Sequence, residues 1–197
     1  MKENTTITYY NRKAQEFVQD TCNVGFTEIP NRFIRYLNSG SRILDLGCGS
    51  GRDTKYFLDQ GFDGVATDGS AELCRIASEY TGIEVKQMLF DELSEVAAYD
   101  GIWACASILH LPYDELVAVL KKITVALRPN GVLYTSFKYG TYEGERNGRF
   151  FIDMTEGRLD ELLADAEGLA IEELWFTGDV RPGREDEKWL NVIMRKL

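Results

Sequence analysis

The run Arg42-Ile43-Leu44-Asp45-Leu46-Gly47-Cys48-Gly49-Ser50-Gly51-Arg52 constrains this chain more than any other stretch. Arg42–Leu46 is short and mostly apolar, as a strand buried on both faces of a sheet must be. It leads directly into glycines at alternate positions. Glycine adopts positive φ without a Cβ clash and lets a ligand come close to the backbone. A helix starting immediately afterwards aims its N-terminal amides at the same spot, where a negative group is stabilised. Strand, glycine turn and helix in succession predict an α/β fold with a ligand at the mouth of its first βα unit.

The pattern on either side agrees. Ile7, Tyr10, Ala14, Phe17 and Val18 share one face of a helix over residues 5–21, and Ile29, Phe33, Ile34 and Leu37 share one over 27–38. Beyond the glycine loop come a helix carrying Phe57 and Leu58 with Gly61 at its C-terminal cap, strand Gly64–Asp68, helix Ala71–Tyr80 and strand Ile83–Leu89. Strand Asp100–Cys105, a helix over 113–127 and strand Gly131–Phe137 continue the alternation, with Arg128-Pro129-Asn130-Gly131 ending that helix. Such alternation implies a parallel sheet covered by helices on both faces.

The tail differs. A helix over 156–166, capped by Thr155, precedes strands Leu169–Thr177 and Trp189–Lys196. The link between those two strands is too short for a covered crossover, so they should form an antiparallel hairpin. Residues 138–151, with Gly140, Gly144 and Gly148 among charged side chains, read as a surface excursion. The expected organisation is one domain over 1–197: a helical cap (1–40), a cofactor-binding core (41–137) and a substrate-side part (138–197).

Lys and Arg total 22 against 32 Asp and Glu, a net charge of −10. An acidic surface repels phosphate backbones, so nucleic acid is not the expected partner. One histidine and four cysteines without a C-x-x-C pair speak against a metal site. No apolar run reaches the roughly 18 residues of a membrane span and the N-terminus carries no apolar signal core, so a cytoplasmic, reduced protein is expected, as monomer or homodimer.

Asp68 ends the second strand 17 residues after Gly51 (68 − 51), where an acid can accept both hydroxyls of a ribose. A dinucleotide site prefers G-x-G-x-x-G, yet position 52 is arginine. Asp45, two residues before the first glycine, would repel a pyrophosphate but tolerate an ammonium or a sulfonium.

Through these residues the chain resembles the class I S-adenosylmethionine-dependent methyltransferases. Leu44–Gly51 is similar to their first motif, Asp68 to their ribose-binding acid and Asp100–Cys105 to their fourth strand. Arg128-Pro129-Asn130-Gly131-Val132-Leu133 is similar to their L-[KR]-P-G-G-x-L, with asparagine in place of one glycine. The resemblance spans about residues 40–137 by motif. It implies a Rossmann-like three-layer α/β sandwich on a mostly parallel seven-stranded sheet with an antiparallel C-terminal hairpin. It also implies S-adenosylmethionine as cofactor. Asp45, with the backbone around Gly47, Cys48, Gly49 and Gly51, would hold the methionine moiety. Asp68 and Gly69 would bind the ribose, Leu89 and Phe90 would flank the adenine, and Cys105 would lie beside the methyl donor. Leu89 departs from the family, which often has an acid there, leaving adenine to backbone amides and apolar contact.

The substrate end is less marked, because methyl transfer is an in-line displacement in which positioning supplies much of the rate. His110 follows the fourth strand and is the candidate general base, or it pins the turn before Pro112. Tyr9 and Tyr10 are placed to cover the site as a lid or to pack as ordinary helix residues. Lys138, Tyr139, Arg181 and Arg184, with Arg149, are candidates to receive an anionic small-molecule acceptor. Gly51-Arg52-Asp53 is similar to the Gly-Arg-Asn of tellurite-resistance methyltransferases, a short hint toward small acceptors. The alternatives are a nicotinamide-dependent oxidoreductase and a non-catalytic S-adenosylmethionine binder.

Overall fold

Ile43, Leu44 and Leu46 are all shielded from water, which puts β1 (Arg42–Leu46) at the centre of a covered sheet. The computed structural model describes residues 4–22, 25, 27–179, 183–184 and 186–197. β2 (Asp63–Asp68) and β4 (Tyr99–Ala104) flank β1 in parallel, β3 (Val85–Gln87) lies outside β2, and β5 (Leu127–Lys138) lies parallel to β4. β9 (Lys188–Lys196) pairs antiparallel with β5, and β8 (Leu169–Gly178) pairs antiparallel with β9. The order is β3-β2-β1-β4-β5-β9-β8. This is the Rossmann-like sheet that the resemblance implies, with the closing hairpin expected from the short link between its strands.

Alternation along the strands sorts the core into two layers. Leu44, Leu46, Ile102 and Leu133 face α5 (Tyr113–Ala126) and α6 (Glu156–Ala166). Ile43, Trp103, Val132 and Tyr134 face α2 (Glu28–Ile34) and α3 (Arg52–Asp59), with α4 (Ala71–Thr81) on that side over β2 and β3. There Trp103 stacks on Tyr134 with centroids 4.0 Å apart and planes at 20°. Such a pair adds about 1 kcal/mol beyond simple burial. α6 begins at its expected cap, where the Thr155 hydroxyl accepts from the Arg158 amide.

Three segments differ from expectation. Predicted to end the helix, Arg128–Asn130 instead start β5, since Pro129 favours extended backbone before it and Asn130 takes φ of 63°. A register shift between Tyr99 and Gly101 absorbs the irregularity. Within the expected excursion, β6 (Glu143–Arg146) and β7 (Arg149–Ile152) form a hairpin that buries Phe151 and Ile152. The predicted Ile83–Leu89 strand shortens to β3, because Leu89 leads into a tight turn at Phe90–Glu92. α1 (Thr5–Cys22) lies across the carboxyl ends of the strands, touching α4 and β7. No helix among the described residues is long and apolar enough to cross a membrane.

Candidate active site

The glycine turn exists because two chain segments meet there. Gly47 has φ of 83°, and a Cβ on it would stand 2.6 Å from the Ser107 Cβ, in the segment after β4. Ser107 is held there by donating its hydroxyl to the Leu46 carbonyl at 2.7 Å. Gly51 meets α4 instead, with a virtual Cβ 3.1 Å from Ala77 Cβ, and does not line the cleft. The amides of Gly47 and Cys48 both donate to the Thr67 carbonyl, at 2.9 Å each. That of Gly49 donates to Asp68 at 2.9 Å, and that of Gly51 to the Cys48 carbonyl at 3.0 Å. The expected ring of ligand-facing amides at these positions is therefore spent inside the protein. What the turn contributes is close approach.

Asp68 ends β2 with both carboxylate oxygens held: Oδ2 accepts from Gly49 and Oδ1 from the Ser70 amide at 2.8 Å. Burial raises its pKa, and the two amide hydrogen bonds oppose the rise. Lone pairs on both oxygens remain for hydroxyl donors.

Asp45 points to the α3 side, where Thr54 donates to it at 2.6 Å. Burial, with the nearby Asp53 charge second, pushes its carboxyl well above the usual range. Asp53 is clamped by Arg52, whose Nε lies 2.7 Å from Oδ1, and accepts from the Trp103 indole at 2.9 Å. Arg52, which breaks the dinucleotide pattern, thus compensates a buried acid. Neither Asp53 nor Trp103 stands out in the sequence as a site residue.

A cleft of about 1230 Å³ opens at the strand ends. Asp45, Gly47, Cys48, Gly49, Asp68 and Gly69 form one side of it. Leu89, Phe90 and Cys105 continue the wall. The Leu89 amide is taken by the Glu92 carboxylate at 2.7 Å, so Leu89 offers the cleft its side chain. Burial raises the Cys48 thiol, and lifts the Cys105 thiol to about 12, so neither is a thiolate at neutral pH.

Tyr10, His110, Lys138, Tyr139 and Arg184 line the same cleft. Arg181 lies outside the described residues. Lys138 is committed to an ion pair with Glu187, which Arg184 also approaches at 4.0 Å. The Tyr139 hydroxyl donates to Glu156 at 3.0 Å. These three carry charges and hydroxyls that are already matched.

His110 has both ring nitrogens engaged. Nδ1 lies 2.6 Å from the Phe150 carbonyl, which only accepts, so Nδ1 carries the proton. Nε2 then accepts from the Tyr10 hydroxyl at 2.9 Å. Burial lowers the ring's pKa to about 4, which keeps it neutral at pH 7. The Tyr10 oxygen in turn accepts from Arg149 at 3.2 Å.

α1 forms the roof. A Cβ on Gly69 would stand 2.5 Å from Ile7 Cδ1, and one on Gly49 2.9 Å from the Phe17 ring. Asn11 ties the helix down, its Oδ1 accepting from the Ser70 hydroxyl at 2.7 Å. The helical period shows α1 but not this placement, because only Thr6 and Ala14 on it are buried.

Residues 43–131 match the methyltransferase domain family. These residues form a methyltransferase domain, of the S-adenosylmethionine-dependent kind that the chain resembles. An N-terminal Xaa-Pro-Lys N-methyltransferase of Xenopus laevis is 34% identical over 113 residues, covering 50% of this chain and 51% of that protein. A ubiquinone biosynthesis O-methyltransferase of Xylella fastidiosa is 35% identical over 106 residues, covering 50% and 42%. The chain thus spans about half the length of these relatives. Among solved structures, the Burkholderia thailandensis 1,6-didemethyltoxoflavin-N1-methyltransferase, with its substrate and S-adenosylhomocysteine bound, superposes with a TM-score of 0.78. It is 23% identical over 96% of this chain and 86% of that one, a likeness of fold.

The match to a methyltransferase domain sets aside the nicotinamide alternative. The site also fits the family's cofactor on its own terms. The turn is too tight for any Cβ at Gly47, and a buried carboxylate with free lone pairs sits beside it.

Proposed function

We propose that this protein transfers the methyl group of S-adenosylmethionine to a small-molecule acceptor held beneath α1. The observation that carries this reading is Asp68, fixed by two backbone amides beside the glycine turn and open to the same cleft as the Tyr10–His110 pair. When bound, S-adenosylmethionine supplies an electrophilic methyl on a sulfonium.

The chain's own residues divide the remaining work. Asp68 would accept the ribose hydroxyls, with Gly69 leaving room beside them. Asp45 would face the methionine ammonium, and Gly47, Cys48 and Gly49 would let that part lie against the backbone. Leu89 and Phe90 would enclose the adenine, and Cys105 would border the reacting methyl. Lys138, Tyr139 and Arg184 would form the outer rim on the acceptor's side. Tyr10 would meet the acceptor, its hydroxyl oriented by Arg149 and by the neutral His110 ring, which accepts its hydrogen bond. His110 therefore works through Tyr10 and does not touch the acceptor. The four cysteines are free thiols, as a reducing compartment such as the cytoplasm favours.

Calorimetric titration with S-adenosylmethionine tests the first step. Micromolar binding that disappears in Asp68→Ala supports the proposal, and an intact protein that does not bind the cofactor ends it. Methyl transfer to a panel of phenols, heterocyclic amines and thiols tests the second. Tyr10→Phe and His110→Asn should both slow turnover, with cofactor affinity retained.

A further inference from the structure

Among the arginines of the cleft with described side chains, Arg52, Arg146 and Arg184 each face a carboxylate. Arg149 does not. Its guanidinium makes one hydrogen bond, from Nη1 to the Tyr10 hydroxyl at 3.2 Å. Nη2 makes none among the described residues, and Nε is a buried donor without an acceptor. Three rings hold the group in place: Tyr9 with its centroid 4.5 Å from Cζ, Phe151 at 5.0 Å and Tyr10 at 5.6 Å. Ring faces attract a cation, but they do not accept its directed N–H bonds as an oxygen does.

The unused donors, Nε and Nη2, form one edge of the planar guanidinium. That edge matches two oxygens of a carboxylate or phosphate in bidentate fashion. The packing against Tyr9, Tyr10 and Phe151 holds the guanidinium in place and covers Nε, so little side-chain freedom is lost when an oxyanion meets Nη2.

We infer that Arg149 is the acceptor-recognition residue, and that the acceptor carries an oxyanion, carboxylate or phosphate, which docks first on Nη2 and engages Nε as the covering rings yield. This rests on the proposed methyltransferase activity and adds the substrate class. Tyr10 positions the fork by fixing Nη1, and β7 delivers it. The signal was partly visible in the sequence, where Arg149 is one of several cations, but nothing there shows that the others are neutralised.

The test uses the full protein loaded with S-adenosylhomocysteine, and three probes of one shape: benzoate, phenyl phosphate and benzamide. Calorimetry should show benzoate or phenyl phosphate binding about ten- to a hundredfold more tightly than benzamide, the preference of one anion over the other identifying which oxyanion is read. Arg149→Gln should abolish that preference while S-adenosylhomocysteine affinity stays within about twofold, and Arg149→Lys should restore part of it as a point charge without the fork. Equal binding of benzamide, no binding of any probe to the loaded protein, or an anion preference that survives Arg149→Gln overturns the inference. If Arg149→Gln does not fold, Tyr10→Phe serves in its place. It preserves the ring and should weaken the anion preference several-fold, and an unchanged preference counts against the proposal. Loss of S-adenosylhomocysteine binding by the intact protein is a separate outcome, since it overturns the methyltransferase reading itself.

Discussion

At Gly47 a single added methyl meets both kinds of penalty available to a side chain. The backbone there is left-handed, and the Ser107 Cβ stands 2.6 Å from where the methyl must go. Gly47→Ala should therefore cost about 2–4 kcal/mol, read as a lowered urea midpoint. Gly61 has the same φ of 83° with nothing within 4 Å, so Gly61→Ala should cost only the backbone part, about 1 kcal/mol. His110 gives a pH-dependent prediction. Its folded pKa near 4 lies below the ordinary unfolded value of about 6.5, so the unfolded chain binds the extra proton between those limits. The stability His110 contributes is complete above about pH 6.5 and is lost as pH falls toward 4, roughly 3 kcal/mol over the window. Subtracting the urea midpoints of His110→Asn from those of the parent across pH 4–7 isolates this contribution, and a flat difference contradicts the assigned burial. Of these features, the glycine and the histidine are visible in the sequence. The partners that give them meaning, Ser107 and the Phe150 carbonyl, lie 60 and 40 positions away (107 − 47 and 150 − 110).

The elements were most legible where one physical rule acts alone. Buried parallel strands read as apolar runs, and β1, β2 and β4 fall within a residue of expectation, as does the antiparallel β9. Thr155 and Ser70 show how local chemistry fixes a helix start, since each hydroxyl accepts an amide from the first turn. Legibility failed where two rules compete. Pro129 and Gly131 signal a break, yet pairing with β4 draws the same residues into β5. Residues 138–151 read as a surface excursion from their glycines and charges, although Phe150 and Phe151, with Ile152 after them, supply an apolar strand end that packs under α1. The roof itself is the weakest element, since α1 buries little and relies on tethers. Asn11→Ala removes the acceptor for the Ser70 hydroxyl and the Glu72 amide. Hydrogen exchange across α1 should then quicken about five- to tenfold while the amides of β1, β4 and β5 stay unchanged. Uniform acceleration in all elements would instead show that Asn11 supports the whole fold.

The molecule as a whole joins a rigid sheet to a lightly held roof, and its cleft lies between them. Apart from the sheet end, the walls of that cleft come from segments far apart in the chain: α1, the turns after β3 and β4, α5, β7, and the facing ends of β8 and β9. A ligand that touches all of them ties roof to sheet, so its binding energy reports on the entire fold. Any ligand binding only the folded state stabilises it by RT ln(1 + [L]/Kd), about 2.7 kcal/mol at a hundredfold excess over Kd. For a chain of 197 residues each kcal/mol moves the melting temperature by about 2–4 °C, giving a shift of roughly 5–10 °C for saturating S-adenosylhomocysteine. In Asp68→Asn the carboxylate that orients the site is replaced by an amide with one acceptor, and the shift should shrink to near zero at the same concentration. In Asn11→Ala the sheet-side contacts survive, so most of the shift should remain although the unliganded roof is looser. Differential scanning fluorimetry on the three proteins decides it. A cofactor shift abolished equally in both variants would mean that α1 carries the binding, not Asp68.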